Sequence, residues 1–142
     1  SNLGLIFAEG EGVEKKCSES LYWYKMAIKQ GLPLAQYNLA FMYDEGICTK
    51  RDITEALRLY KLAAEQGYSR AQLNLGVIFA NGQGVPQNYV KAHMWSNLAA
   101  AQGEKTALKN RDLYASQMTP QQIAEAQKIA SQCKARNYKR CD

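Results

Sequence analysis

The chain has 142 residues and a net charge of +5, long enough for one sizeable folded unit. No apolar run approaches the roughly 20 residues that cross a bilayer, and one histidine with no C-x-x-C gives no reason to expect a metal or cofactor. The charge is uneven: nine Lys/Arg face nine Asp/Glu in residues 1–74, but nine face only Glu104, Asp112, Glu125 and Asp142 in residues 75–142.

A 36-residue step runs along the chain without a gap. It links Leu3, Leu39 and Leu75, then Gly10, Gly46 and Gly82, then Ala27, Ala63 and Ala99. It also links Gln30, Gln66 and Gln102, Gly31, Gly67 and Gly103, and Ala35, Ala71 and Ala107, with Asn2, Asn38, Asn74 and Asn110 as a series of four. A fixed period of this size means a solenoid, propeller or array.

The chain opens inside a repeat, since nothing before Asn2 matches the A-Q-Y before Asn38. It therefore reads as the C-terminal part of a longer protein with an exposed apolar N-terminal edge. Ala35, Leu39, Met42 and Tyr43 predict a helix over 34–45, with Pro33 near its start and Gly46 as its left-handed cap. Ala56, Leu59, Tyr60 and Ala63 predict a second helix, capped by Asp52 with Glu55 reaching back, closed by Gly67 and followed by one starting at Ser69. Thr119-Pro120-Gln121-Gln122 predicts a capping box and a helix from about 120 to 135, suited to ending a stack. The fold class is thus all-α, a solenoid of A and B helix pairs. The expected units are 1–38 (repeat one and the start of the next A helix), 39–74, 75–118 (repeat three plus a final A helix) and 119–142 (capping helix and basic tail). The repeated alanines let helices approach closely, and Trp23, Tyr24, Tyr60 and Trp95 are expected to fill the core.

The pattern A-Q-x-N-L-[GA]-x-[MI]-[YF]-x-x-G-x-G-V, then A-x-x-[WL]-[YS]-x-x-A-A-x-Q-G, resembles the Sel1-like repeat, a relative of the tetratricopeptide repeat, over residues 1 to about 117. Repeat two departs from it at Ile47, Cys48 and Thr49, where other copies carry G-x-G-V. The resemblance implies a right-handed superhelix with A helices lining a concave face. It also implies a non-enzymatic bacterial scaffold or adaptor for protein complexes.

On that face Asn38, Phe41 and Glu45 share one helix side by i, i+3, i+7, as do Asn74, Val77 and Asn81, and Asn110 with Leu113 and Gln117. Amides donate and accept at once, so such a stripe suits the backbone of an extended peptide. In the resembled tetratricopeptide proteins an asparagine at this place helps clamp peptide carboxylates. The competing reading is that the asparagines cap or bridge neighbouring A helices as a structural feature of every repeat. The expected partner is therefore a protein or peptide, with no small-molecule cofactor and no specific nucleic acid. A monomer is expected, with association through the N-terminal repeat edge as the alternative.

Cys133 and Cys141 flank a basic segment and are expected to form a disulfide. Cys17 and Cys48, both placed in connecting regions, could form another. Bridges would fit a periplasmic or secreted protein, and free thiols a cytoplasmic one. Two other functions stay in view. Ser131 and Lys134 match the S-x-x-K spacing of penicillin-binding proteins, and cysteine-rich relatives imply a weak hydrolase or binder of β-lactam-like amides. The S-D-N and K-T-G partners are absent, and His93, aligned with Leu21 and Leu57, is expected on the convex helix. Lys128, Lys134, Arg136, Lys139 and Arg140 suit an anionic polymer, or a solvated helix end beside the helix dipole.

Overall fold

The computed structural model describes residues 11–141, with side chains from Glu14 onward. The repeat positions Asn2, Leu3 and Gly10 and the first A helix lie outside the described residues. Within them the chain is helical throughout: α1 Glu11–Lys29, α2 Pro33–Glu45, α3 Ile53–Ala64, α4 Ser69–Asn81, α5 Tyr89–Ala101, α6 Lys105–Ala115 and α7 Pro120–Ala135. Each helix packs on its sequence neighbour from α1 to α6; α4 also meets α6, and α7 lies on α5. This is a stack of helix pairs, with α2, α4 and α6 in the A role and α1, α3 and α5 in the B role.

Local chemistry sets the helix ends. Pro33 occupies the first turn of α2, where a missing N–H costs nothing. Gly46 and Gly82 close α2 and α4 at φ 67°, a left-handed conformation that costs glycine little. Asp52 Oδ1 accepts from the Glu55 N–H at 3.1 Å, and Asn88 Oδ1 from the Lys91 N–H at 3.0 Å. The expected capping box at Asp52 is only half made. The Asp52 N–H already donates to the Tyr43 carbonyl at 2.9 Å, so Glu55 turns to Arg58, which donates through Nε at 3.1 Å. At Thr119 and Gln122 both halves form, at 3.1 and 2.9 Å.

Helix α1 starts six residues earlier than the repeat register gives, since α3 and α5 begin at Ile53 and Tyr89, the counterparts of Cys17. The reason is visible at the cap. Asp52 and Asn88 are matched by Lys16, which has no oxygen to accept a first-turn N–H, so nothing stops the helix there. Cys17 therefore lies inside a helix, which corrects its placement in a connecting region. Cys48 is in the α2–α3 loop at φ 65°, close to the φ 71° of its counterpart Gly84.

Small residues govern the closest contacts. Ala63, Ala71, Ala99 and Ala107 have no exposed surface. A Cβ at Gly76 would lie 2.5 Å from Ser96 Oγ and 3.2 Å from the Ala92 carbonyl, so α4 and α5 meet with no space for a side chain. Tyr60 and Trp95 fill the core as expected, but Trp23 is 66% exposed and Tyr24 only half-buried. Trp23 holds the register position of the buried Leu59 and Trp95, yet among the described residues α1 packs principally on α2. His93 lies on a B helix, α5, where it is buried.

The repeated glutamines have a structural task that their periodicity did not disclose. Gln66 Nε2 donates to Gln36 Oε1 at 2.8 Å, and one repeat later Gln102 Nε2 donates to Gln72 Oε1 at 2.9 Å. Gln36 and Gln72 are buried, so each pair satisfies amides that would otherwise be costly inside the stack.

The possible disulfide Cys17–Cys48 and the expected one, Cys133–Cys141, are both present, with Cα–Cα separations of 5.0 and 4.9 Å. The first ties α1 to the α2–α3 loop. The second folds the tail back under α7, so that Tyr138 lies against Gly67 in the α3–α4 turn, 3.1 Å from where a Cβ would stand.

Candidate functional site

Two cavities that share Asn81 run along the A helices α2, α4 and α6, and another lies between α1 and α2. The largest, of about 480 Å³, is bordered by Phe41, Glu45, Asn74, Val77 and Asn81, together with Asp44, Arg51, Ile78 and Gln83. Five residues chosen by register alone are thus brought together in one cleft. Asn38 borders the cavity beside α1, apolar and about 370 Å³, with Trp23, Ala27, Leu32 and Leu34. Asn81 is shared with a third, of about 250 Å³, which takes in Leu113 and Gln117 beside Tyr89 and Tyr114. Asn110, half-buried on α6, borders none of the three.

The walls combine exposed apolar surface with polar groups. Phe41 is 40% and Leu113 63% exposed, and Asp44, Glu45 and Arg51 supply charge to the largest cavity. Arg51 is held by its own backbone contact, Nε donating to the Asp44 carbonyl at 2.9 Å; one repeat later Gln87 donates to the Ala80 carbonyl at 2.8 Å. Aligning Arg51 with Gln87 would have found this paired device, although the charge is particular to repeat two.

Asn74 bonds to a B helix rather than to a neighbouring A helix. Its Nδ2 donates to Tyr60 Oη at 3.0 Å, and Tyr60 in turn lies 3.4 Å from Asp44 Oδ2. Burial pushes the Tyr60 phenol well above its usual range, so it stays protonated. Tyr37, stacked against Tyr60 and Tyr68 with ring centroids 5.8 and 5.3 Å away, is also raised by burial. Asn74 is thus partly committed to the floor of the cleft. Phe41, Glu45 and Asn81 stand exposed at its edge.

The hydrolase residues are placed differently. Ser131 and Lys134 are both exposed on α7 and border none of the cavities described above. His93 Nδ1 has no hydrogen-bond partner in its buried position. Burial, and then the Arg111 charge, lower its pKa below the ordinary 6.5, with Asp112 opposing. The folded state therefore favours neutral imidazole. Its stabilising effect is complete above pH 6.5 and is lost as pH falls through the lowered folded value. Melting temperatures at pH 7.5 and 5.0 should differ more for the wild type than for His93→Leu, which carries the residue found at positions 21 and 57. Equal differences would remove His93 from the pH response.

The fold and the grooved face define a class, the α-solenoid built from short helix-pair repeats. The Sel1 repeat profile matches residues 1–32, 33–68 and 69–104, so the chain belongs to the Sel1 repeat family. Repeats of this family serve generally as protein-interaction modules. A protective antigen of uropathogenic Escherichia coli with the same repeat fold aligns over 97% of this chain and 30% of its own, at 28% identity and a TM-score of 0.79. A Sel1 repeat protein from Oxalobacter formigenes aligns over 80% of this chain and 46% of its own, at 36% identity and a TM-score of 0.67. A sel1-like repeat-containing protein of Acanthamoeba polyphaga mimivirus is 46% identical over 39 residues, 28% of this chain and 7% of its own. The chain therefore spans less than half the length of each of these relatives. No helix among the described residues is long and apolar enough to cross a membrane.

Proposed function

We propose that this chain is a non-catalytic scaffold module that binds an extended segment of a protein partner along the A-helix face. One observation carries the reading: residues selected by the 36-residue step border two cavities that share Asn81 and run from α2 to α6. Phe41, Val77 and Leu113 offer apolar contact, and Asn81, Gln83 and Glu45 offer polar groups to a peptide backbone or side chains. Asn38, Asn74 and Asn110 contribute less than the register implies, Asn74 because its donor is already used by Tyr60. The two disulfides support an oxidising, extracytoplasmic setting, periplasmic or secreted.

The test uses a peptide selected from a random library against the folded chain, with affinity read by fluorescence anisotropy. Phe41→Ala/Asn81→Ala is expected to weaken binding about tenfold or more, as for residues central to an interface. Both side chains are exposed, so the variant should melt like the wild type. Unchanged affinity in a folded variant would remove the A-helix face as the site.

A further inference from the structure

The C-terminal loop carries a second surface, separate from the A-helix cleft. Cys133 and Cys141 close the segment Lys134-Ala-Arg-Asn-Tyr-Lys-Arg140. Both cysteines are buried in the core cluster, and Tyr138 packs against it. Asn137, Tyr138 and Arg140 take φ values of 57°, 67° and 53°, so the backbone turns tightly. Tyr138 rests on Gly67, while the equivalent turns at Gly31 and Gly103 have nothing within 4 Å of the same point. Arg136 Nη1 donates to the Arg140 carbonyl at 2.7 Å, bracing the loop across its width. The outcome is a fixed knuckle with Lys134, Arg136, Lys139 and Arg140 all exposed. No described acidic side chain pairs with any of the four. The sequence adds one carboxylate, Asp142, next to Cys141.

We propose that this disulfide-closed cationic knuckle docks the module on an anionic phospholipid surface. A solvated helix end would need neither a buried bridge nor an aromatic buttress to present four cations together. The choice of a bilayer over a nucleic acid follows from shape and chemistry. The knuckle is folded back against the α3–α4 turn and borders none of the cavities described above. Its one aromatic residue, Tyr138, is spent on Gly67 and the core, so it is not free to stack on bases. A flat array of phosphate headgroups asks only for clustered positive charge within a Debye length.

Each Lys or Arg at such a surface contributes roughly fivefold in partitioning. The test is co-sedimentation of the intact chain with vesicles of phosphatidylcholine, alone or mixed with phosphatidylglycerol, at low and high salt. The chain should pellet only with the phosphatidylglycerol vesicles, and less as salt rises. Lys134→Gln/Lys139→Gln/Arg140→Gln, which leaves Arg136 as the brace, should lower partitioning by about a hundredfold without altering the melt. Cys133→Ser/Cys141→Ser keeps every charge and should still lose most of the binding, because the cations are no longer held together. Should that variant fail to fold, the charge variant alone decides. Three results would overturn the proposal: no association with phosphatidylglycerol vesicles, equal association by the charge variant, or full association by the folded cysteine variant. Preferential capture by single-stranded DNA over vesicles of equal charge would also overturn it, making the partner a soluble polyanion.

Discussion

Trp95→Ala is expected to destabilise the stack by about 3–5 kcal/mol, the range for removing a large aromatic side chain from a packed core. Trp95 is 1% exposed on α5, the helix against which α4, α6 and α7 all pack. A loss of this size is a large share of the roughly 5–15 kcal/mol that holds a domain of this length. The repeat supplies its own control. Trp23 is the same residue at the same register position two repeats earlier, but 66% exposed. Trp23→Ala should therefore change stability by less than about 0.5 kcal/mol. Trp95→Phe should cost much less than the alanine change, because the indole N–H has no partner to lose. Urea titration followed by circular dichroism measures all three. Comparable losses at 23 and 95 would show that the stack does not distinguish its interior from its end.

Removing the Cys17–Cys48 bridge, as Cys17→Ser/Cys48→Ser, should cost about 3–4 kcal/mol. The bridge spans 31 residues, against 8 for Cys133–Cys141, so it constrains more of the unfolded chain. The short bridge is expected to contribute about 2–3 kcal/mol on the same argument. The loss should also be local. Among the described residues helix α1 has principally α2 to rest on, and without the bridge its amides should exchange faster than those of α4 and α5. Hydrogen exchange with and without reductant reads this directly. Uniform acceleration along the chain would mean that α1 is held by packing rather than by the bridge.

Where the sequence was legible, the causes were local and repeated. Gly46, Pro33 and the Thr119–Gln122 box act within a few residues, so their helix ends could be read directly. The terminal disulfide was legible because Cys133 and Cys141 flank a short segment, whereas Cys17–Cys48 stayed only a possibility on register. What was not legible depended on particular neighbours. Trp23 resembles Trp95 in sequence, and only the packing shows that one is covered and the other is not. Glu55 could not be seen to leave its cap without knowing that the Asp52 N–H was already taken by Tyr43. Asn74 kept two readings because its partner, Tyr60, is matched by Ser96 in the next repeat and carries no periodic signal. Asp44 and Arg51 were missed at the cleft for the same reason, since Ala80 and Gln87 stand in their places.

The central claim, that the A-helix face receives an extended peptide, is tested most directly by mapping a bound peptide on the folded chain. Amide chemical shifts should be followed while a library-selected peptide is titrated in. The account predicts shifts concentrated at Phe41, Glu45, Val77, Asn81 and Leu113, following the cavities from α2 to α6. Shifts confined to the outer helices α3, α5 and α7, with that stripe unmoved, would contradict it.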